Sequence, residues 1–280
     1  MHLKLTIQYD GTGFSGSQLQ NEERGRTVQG ELERALERLS GTSIRVALAG
    51  RTDSGVHALG QVASLDFPGR ERLDTPQAVQ RALNGILPGD LSVMRAEEAP
   101  DGFHARFSAR KRAYRYLFWN AQAPAPLLSR YSLHVRRPLD IEAVTQAIEH
   151  FEGTHDFAAF AGQGMGVLRV PGNAEDRLST MRTVYLARLT RVDSRANFWT
   201  YDAPEPQVSE DSGDSKLLAL DVVANAFLPQ MIRTIVGTLL EVGHGKRPAE
   251  GIADIIKSCD RNQAGPTAKP HGLCLLWVEY

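Results

Sequence analysis

Cysteine is scarce in this chain of 280 residues: Cys259 and Cys274 are its two thiols, far apart in sequence. That spacing excludes a C-x-x-C metal or redox pair and gives no disulfide framework. The eight histidines show neither H-x-x-x-H nor H-E-x-x-H spacing, so no zinc site can be argued and metal-independent chemistry is expected. Long apolar runs are missing too. None approaches the roughly 20 residues needed to cross a bilayer. Met1 to Ile7 enters a strand-like alternation at once, without the charged region, apolar core and cleavage site of a signal peptide. A cytoplasmic protein with no membrane attachment is expected. A charge surplus of either sign is also absent. The formal net charge is −1, whereas proteins that bind polyanions indiscriminately usually carry a marked basic excess.

What is present is an ordinary globular composition, 42% hydrophobic and 23% charged, with room for one large domain or two smaller ones. The charges are unevenly placed. Arg106, Arg110, Lys111, Arg112 and Arg115 lie between His104 and Tyr116 with no acid among them, whereas Asp202 to Asp214 holds five acids and no base. The first stretch reads either as a phosphate-binding surface or as a solvated face.

The first hundred residues read as a strand at Leu3 to Tyr9 and a helix from about Val28 to Leu39, with Val28, Leu32, Ala35, Leu36 and Leu39 as its apolar stripe. Strands at 44–49 and 60–67 follow, then a helix with Thr75 as N-cap and Pro76 at its first position, and a strand at Leu91 to Arg95. That order, β-α-β-β-α-β, is the ferredoxin-like motif. The remainder repeats it. A strand at Ala113 to Trp119, a helix opened by Asp140 and closed near Gly153, strands near 182–192 and 216–223, helices near 229–242 and 249–257, and a strand at Leu273 to Tyr280 are expected. The predicted fold class is α+β. Two ferredoxin-like halves, 1–105 and 106–280, form a mixed, mostly antiparallel sheet with helices on one side and a central cleft. Stretches 162–180 and 195–215 are rich in Gly, Pro, Ser and Asp and read as loops.

Between the strands at 44–49 and 60–67 runs Ala49-Gly50-Arg51-Thr52-Asp53-Ser54-Gly55-Val56-His57-Ala58-Leu59-Gly60-Gln61. It puts one carboxylate, Asp53, on a loop held by a rigid scaffold, where functional groups are common. Arg51, two residues away, is placed to favour the ionised carboxylate, since a nearby opposite charge lowers an acid's pKa. An Asp and an Arg decorating a surface turn is the plain alternative. Tyr9-Asp10-Gly11-Thr12 partly matches the D-x-D-G-T nucleophile loop of magnesium-dependent haloacid-dehalogenase phosphatases, but Gln8 stands where the first Asp belongs. A turn closed by an Asp10 side-chain hydrogen bond fits better. Gly243-His244-Gly245-Lys246 lacks the second half of a P-loop and reads as a helix stop.

The run 50–61 matches every fixed position of G-R-T-D-x-G-V-H-x-x-x-Q, and so resembles the catalytic loop of the tRNA pseudouridine synthase A family. Residues 9–20 match that family's Y-D-G-T-x-[YF]-x-G-W-Q-x-Q except at Ser17, where the usual Trp is absent. Phe103-His104-Ala105-Arg106-Phe107-Ser108-Ala109 with Tyr114 and Tyr116 resembles its F-H-A-R-x-S-A and Y-x-Y segments. Asn225-Ala226-Phe227-Leu228-Pro229-Gln230-Met231-Ile232-Arg233 resembles N-A-F-x-x-x-M-[VI]-R. The resemblance implies Asp53 as the catalytic aspartate, Arg233 as its partner and Tyr114 as the active-site tyrosine. Arg51, His57, Arg106 and Arg112 are expected at the substrate.

It further implies a homodimer that isomerises uridines to pseudouridine on the 3′ side of the tRNA anticodon stem-loop, with tRNA as partner and neither cofactor nor metal. The target is paired, so it must be flipped out at roughly a few kcal/mol of unstacking. Recognition is then expected mainly through shape and backbone. The rival is a non-catalytic RNA-binding protein on the same scaffold, for which Asp53 has no use and would weaken contact with phosphates.

Overall fold

A computed structural model describes residues 1–19, 25–162, 180–192 and 215–280; most of the two expected loops, 162–180 and 195–215, lies outside the described residues. The described residues divide into two compact units, Met1–Tyr114 with Cys274–Tyr280, and Arg115–Leu273. Among the described residues, ten strands and five α-helices make up a mixed, mostly antiparallel α+β fold.

In the first unit, strand β1 (His2–Tyr9) alternates strictly, with Leu3, Leu5, Ile7 and Tyr9 buried, because successive side chains of a strand point to opposite faces. Helix α1 (Val28–Ser40) starts at Thr27, whose hydroxyl accepts from Gly30 N, and stops at Gly41 in the left-handed conformation. Strand β2 is Ala47–Leu48 and strand β3 is His57–Asp66. Helix α2 (Pro76–Asn84) is capped by Thr75 through Ala78 N, with Pro76 in its first turn as expected. Strand β4 is Leu91–Glu98.

β1 lies between β3 and β4, antiparallel to both, and β2 pairs with β3. This is the 4-1-3-2 order of a ferredoxin-like unit. Two expectations are corrected. The strand expected over 44–49 shrinks to two residues, and the next starts at His57 rather than near 60, inside the expected loop. One finding explains both. The last strand of the chain pairs with β3 in parallel, Cys274 opposite His57 and Leu275 opposite Ala58, while β2 pairs at Ala63 and Ser64. Two partners thus divide one edge of β3. Gly60 permits that approach, since a Cβ there would stand 2.4 Å from Leu276 O.

Strand β5 (Lys111–Asn120) carries the chain into the second unit. There follow β6 (Leu133–Val135), α3 (Ile141–Glu149), β7 (Gly153–Asp156), β8 (Met181–Val192), β9 (Leu217–Ala224), α4 (Met231–Gly243), α5 (Gly251–Ser258) and finally β10 (Leu273–Glu279). The unit's strand order is β5-β9-β8-β7, with β6 parallel beside β5. Asp140 caps α3 through Ala143 N, but the helix ends at Glu149 rather than near Gly153, which opens β7. In α4, Met231, Ile235, Leu239 and Val242 form a buried stripe, and the helix stops at His244 and Gly245, the latter at φ +70°.

The basic run divides once partners are assigned. Arg115 makes a buried, two-pronged pair with Asp221 at 2.7 and 2.9 Å. Lys111 pairs with Glu279 at 3.0 Å. Arg106 and Arg110 remain exposed.

Candidate active site

The Asp53 loop is pinned from both sides by segment 9–17. Asp10 closes the turn as expected, its Oδ1 accepting from Thr12 N at 3.0 Å and Thr12 Oγ1 at 2.6 Å. Gly11 N donates to His57 Nδ1 at 3.0 Å, and Asp10 Oδ1 lies 3.2 Å from the same nitrogen. His57 is buried. It therefore ties the segment to the loop from within the protein.

Thr52, directly before Asp53, is held at three atoms. Its hydroxyl meets Tyr9 OH at 2.8 Å, its N–H donates to Ser17 Oγ at 2.8 Å, and its carbonyl accepts from Ser17 N at 3.0 Å. Ser54 Oγ donates to Phe14 O at 3.0 Å and Val56 N to Asp53 O at 3.1 Å. Gln61, fully buried, sends Nε2 to Gly50 O at 2.9 Å. Asp53 itself is half-buried. Gly16, at φ +106°, brings its backbone against Thr52, where a Cβ would stand 3.1 Å from the carbonyl oxygen.

Segment 9–17 is itself braced. Arg26 grips Asp90 with two hydrogen bonds of 2.8 Å, donates to Glu31 at 3.0 Å and covers the Phe14 ring at 4.2 Å. Ser15 N donates to Arg26 O at 2.9 Å.

On β5, Tyr114 and Tyr116 are both buried. A Cβ on Gly50 would lie 3.9 Å from Tyr114 OH and 4.0 Å from Arg112 Nε, so both side chains reach the start of the loop. Burial pushes the Tyr114 pKa up, reinforced by Tyr9 and the Asp53 charge and opposed by Arg112. Its hydroxyl stays neutral at physiological pH. Tyr9 is likewise pushed up, to about 12, mainly by burial.

The remaining expected site residues fall into different roles. Arg112 Nη2 donates to Ala49 O at 3.0 Å and Arg106 O at 3.1 Å, and burial pulls its pKa down. It braces the backbone behind the loop. Arg51 is exposed, two residues before Asp53. Arg106 is exposed beside Phe107. Arg233 sits in the second unit on α4, its Nε donating to Ala268 O at 2.8 Å while Ala268 N donates back to Arg233 O at 2.9 Å. Among the described residues no group of three or more His, Cys, Asp or Glu is arranged to hold a metal.

Reading the sequence missed the role of Ser17. Its place in the motif marked it only as a missing Trp, yet its hydroxyl accepts the buried N–H next to Asp53, a bond no Trp side chain can make. Ser17→Ala strands that donor, which is expected to lower unfolding stability by about 1–3 kcal/mol. It should also slow the protein's reaction more than it weakens ligand binding. Urea unfolding with steady-state kinetics measures both, and an unchanged midpoint and rate would remove Ser17 from the support of the loop.

Comparison with known proteins gives the same direction over most of the chain. A family described as tRNA pseudouridine synthase matches residues 5–108 and 147–280. A tRNA pseudouridine synthase A of Chloroflexus aurantiacus is 44% identical over 278 residues, covering 99% of this chain and 88% of the relative. That of Moorella thermoacetica is 37% identical over 278 residues, covering 99% of both chains. One from a Geobacillus species is 41% identical over 280 residues, covering 99% of this chain and 98% of the relative.

Proposed function

We propose that this chain, which belongs to the tRNA pseudouridine synthase family, isomerises uridine to pseudouridine in the anticodon stem-loop of tRNA, with Asp53 as the group acting at the ribose. The observation that carries the reading is the Asp53 loop. Every fixed position of the family pattern is present, and neighbouring backbone and side-chain groups hold the carboxylate's two flanks.

The chemistry needs few groups. The bond from uracil N1 to C1′ breaks, the base rotates, and C5 bonds to C1′. The hydrogen on C5 leaves as a proton and N1 gains one, so no oxidant or reductant is consumed. Asp53 serves at the sugar, as nucleophile at C1′ or as the base that takes a sugar proton. Tyr114, neutral and buried beside the loop, offers a flat face for the uracil. Arg51 and Arg106, exposed on either side in sequence, are placed to meet phosphates. Arg233 is assigned as the Asp53 partner on the family pattern N-A-F-x-x-x-M-[VI]-R, which residues 225–233 carry. His57 and Arg112 support the loop from behind.

Transcribed tRNA carrying tritium at C5 of uridine tests the function directly. Release of tritium by the purified protein, with chelator present, is the expected result. Tight binding without release across a full set of tRNAs would leave an RNA-binding protein instead. We place this activity in the cytoplasm and assign it to a homodimer, on the family resemblance. Sedimentation should show two subunits with tRNA bound, and monomers alone would overturn the dimer.

A further inference from the structure

Phe107 is 78% exposed, on a loop that is otherwise tightly held. Residues 104–108 form a closed turn: His104 N donates to Ser108 Oγ at 3.0 Å and Ser108 N to His104 O at 2.9 Å. His104 Nδ1 accepts from Arg106 N at 3.2 Å and Phe107 N at 3.4 Å, which fixes the imidazole. The ring then lies behind Phe107, centroids 4.4 Å apart and planes 33° from each other. The turn is fastened to its unit by Ala105, whose N–H donates to Ser64 Oγ at 3.0 Å and whose carbonyl accepts from Tyr280 OH at 2.9 Å.

A phenyl ring so exposed leaves apolar surface in water, while the hydrogen bonds of the turn hold its backbone in place. Its neighbours define what would cover it. The Arg106 guanidinium lies 5.7 Å from the ring centroid, Arg110 is exposed three residues on, and no acid lies between His104 and Tyr116. An aromatic face bordered by unneutralised cations suits a planar group joined to an anion. Stacking on a base is tolerant of sequence because every base has a π-face.

We propose that Phe107, backed by His104, is a stacking platform for one unpaired nucleotide of the RNA substrate, with Arg106 and Arg110 at the adjoining phosphates. This rests on the proposed function only for the identity of that RNA. The platform requires an aromatic ring, not merely apolar bulk. Its position is set by the turn, so binding meets a ready-made surface and loses little conformational entropy.

The test is tRNA affinity at fixed salt for the full-length wild type, Phe107→Ala, Phe107→Leu and Phe107→Trp, with tritium release measured on the same samples. Phe107→Ala is expected to weaken binding about tenfold. Phe107→Leu should be equally weak, and Phe107→Trp close to wild type. The salt dependence should keep its slope in all three, because no phosphate contact is removed. Arg110→Ala should flatten that slope by about one ion.

Wild-type affinity in Phe107→Ala, or full rescue by Leu, overturns the platform. So does a Phe107→Ala protein whose loss of affinity is explained by loss of subunit association in sedimentation, which would make the ring a contact between copies. The function stands or falls separately. Tritium release by a wild type whose binding ignores Phe107 sinks the platform alone, and Phe107-dependent binding without any release sinks the isomerase reading alone.

Discussion

Asp53→Asn, which removes the group proposed to act at the reacting sugar, is expected to abolish turnover, a loss of about 10⁴-fold or more. tRNA affinity should stay within about tenfold of wild type, because a carboxylate makes no favourable contact with phosphate. The substitution is nearly isosteric. It keeps the hydrogen bonds that Thr52, Ser54 and the Asp53 backbone make to hold the loop, none of which uses the carboxylate. Tritium release from C5-labelled tRNA and filter binding give the two quantities. Full activity in Asp53→Asn would remove the residue from the mechanism. Tyr114→Phe calibrates the result: it keeps the ring and loses only the neutral hydroxyl, so it should slow turnover less than Asp53→Asn does.

The second large effect comes from a residue with no side chain. A Cβ on Gly11 would stand 2.0 Å from Val56 O and 2.5 Å from Val56 C, both backbone atoms. Neither can rotate aside. Val56 N is the donor that closes the turn on Asp53 O, and Gly11 N is the donor to His57. Gly11→Ala must therefore displace both ends of the turn that carries Asp53. A displacement near 1 Å at a reacting group costs about 100-fold in rate, and overpacking adds roughly 1–3 kcal/mol of destabilisation. Gly13→Ala is the control. Its Cβ would meet only side-chain atoms, Arg26 Nη1 at 3.3 Å and Asp90 Oδ2 at 3.4 Å, and near-normal rates are expected. Single-turnover tritium release and urea midpoints compare the two. Equal behaviour of both variants would show that the close approach at Gly11 does not govern the loop.

These predictions rest on information of two kinds. Local patterns spoke for local structure. The alternation Leu3, Leu5, Ile7, Tyr9 gave β1, the stripe through Val28, Leu32 and Leu36 gave α1, and Thr75-Pro76 and Asp140 marked helix starts that the capping hydrogen bonds bear out. Side-chain period and cap chemistry act over a few residues, so they can be read without knowing what packs where. The same holds for the run 50–61 and for Tyr114, whose types and spacing were visible in one dimension. The family was legible there, and the comparisons bear it out.

Other features depend on which distant segments meet. The chain did not disclose that β10 would return to β3, so the strand over 44–49 was drawn too long and its successor too short. Nor did it disclose how the basic run would be divided. Arg115, Lys111 and Arg112 read alike in sequence, yet their partners are Asp221, Glu279 and the carbonyls of Ala49 and Arg106. His57 was expected at the substrate and Ser17 stood out only as the place of an absent Trp; His57 Nδ1 accepts from Gly11 N and Ser17 Oγ from Thr52 N, so both also hold the Asp53 loop. The sequence by itself determined the element types and the family, and it placed Asp53 on a loop. Which polar groups face ligand and which are spent on the protein's own backbone was decided only by the tertiary structure, because a hydrogen bond or ion pair requires its second partner, and that partner lies 35 residues away for Ser17 and Thr52 and 106 for Arg115 and Asp221.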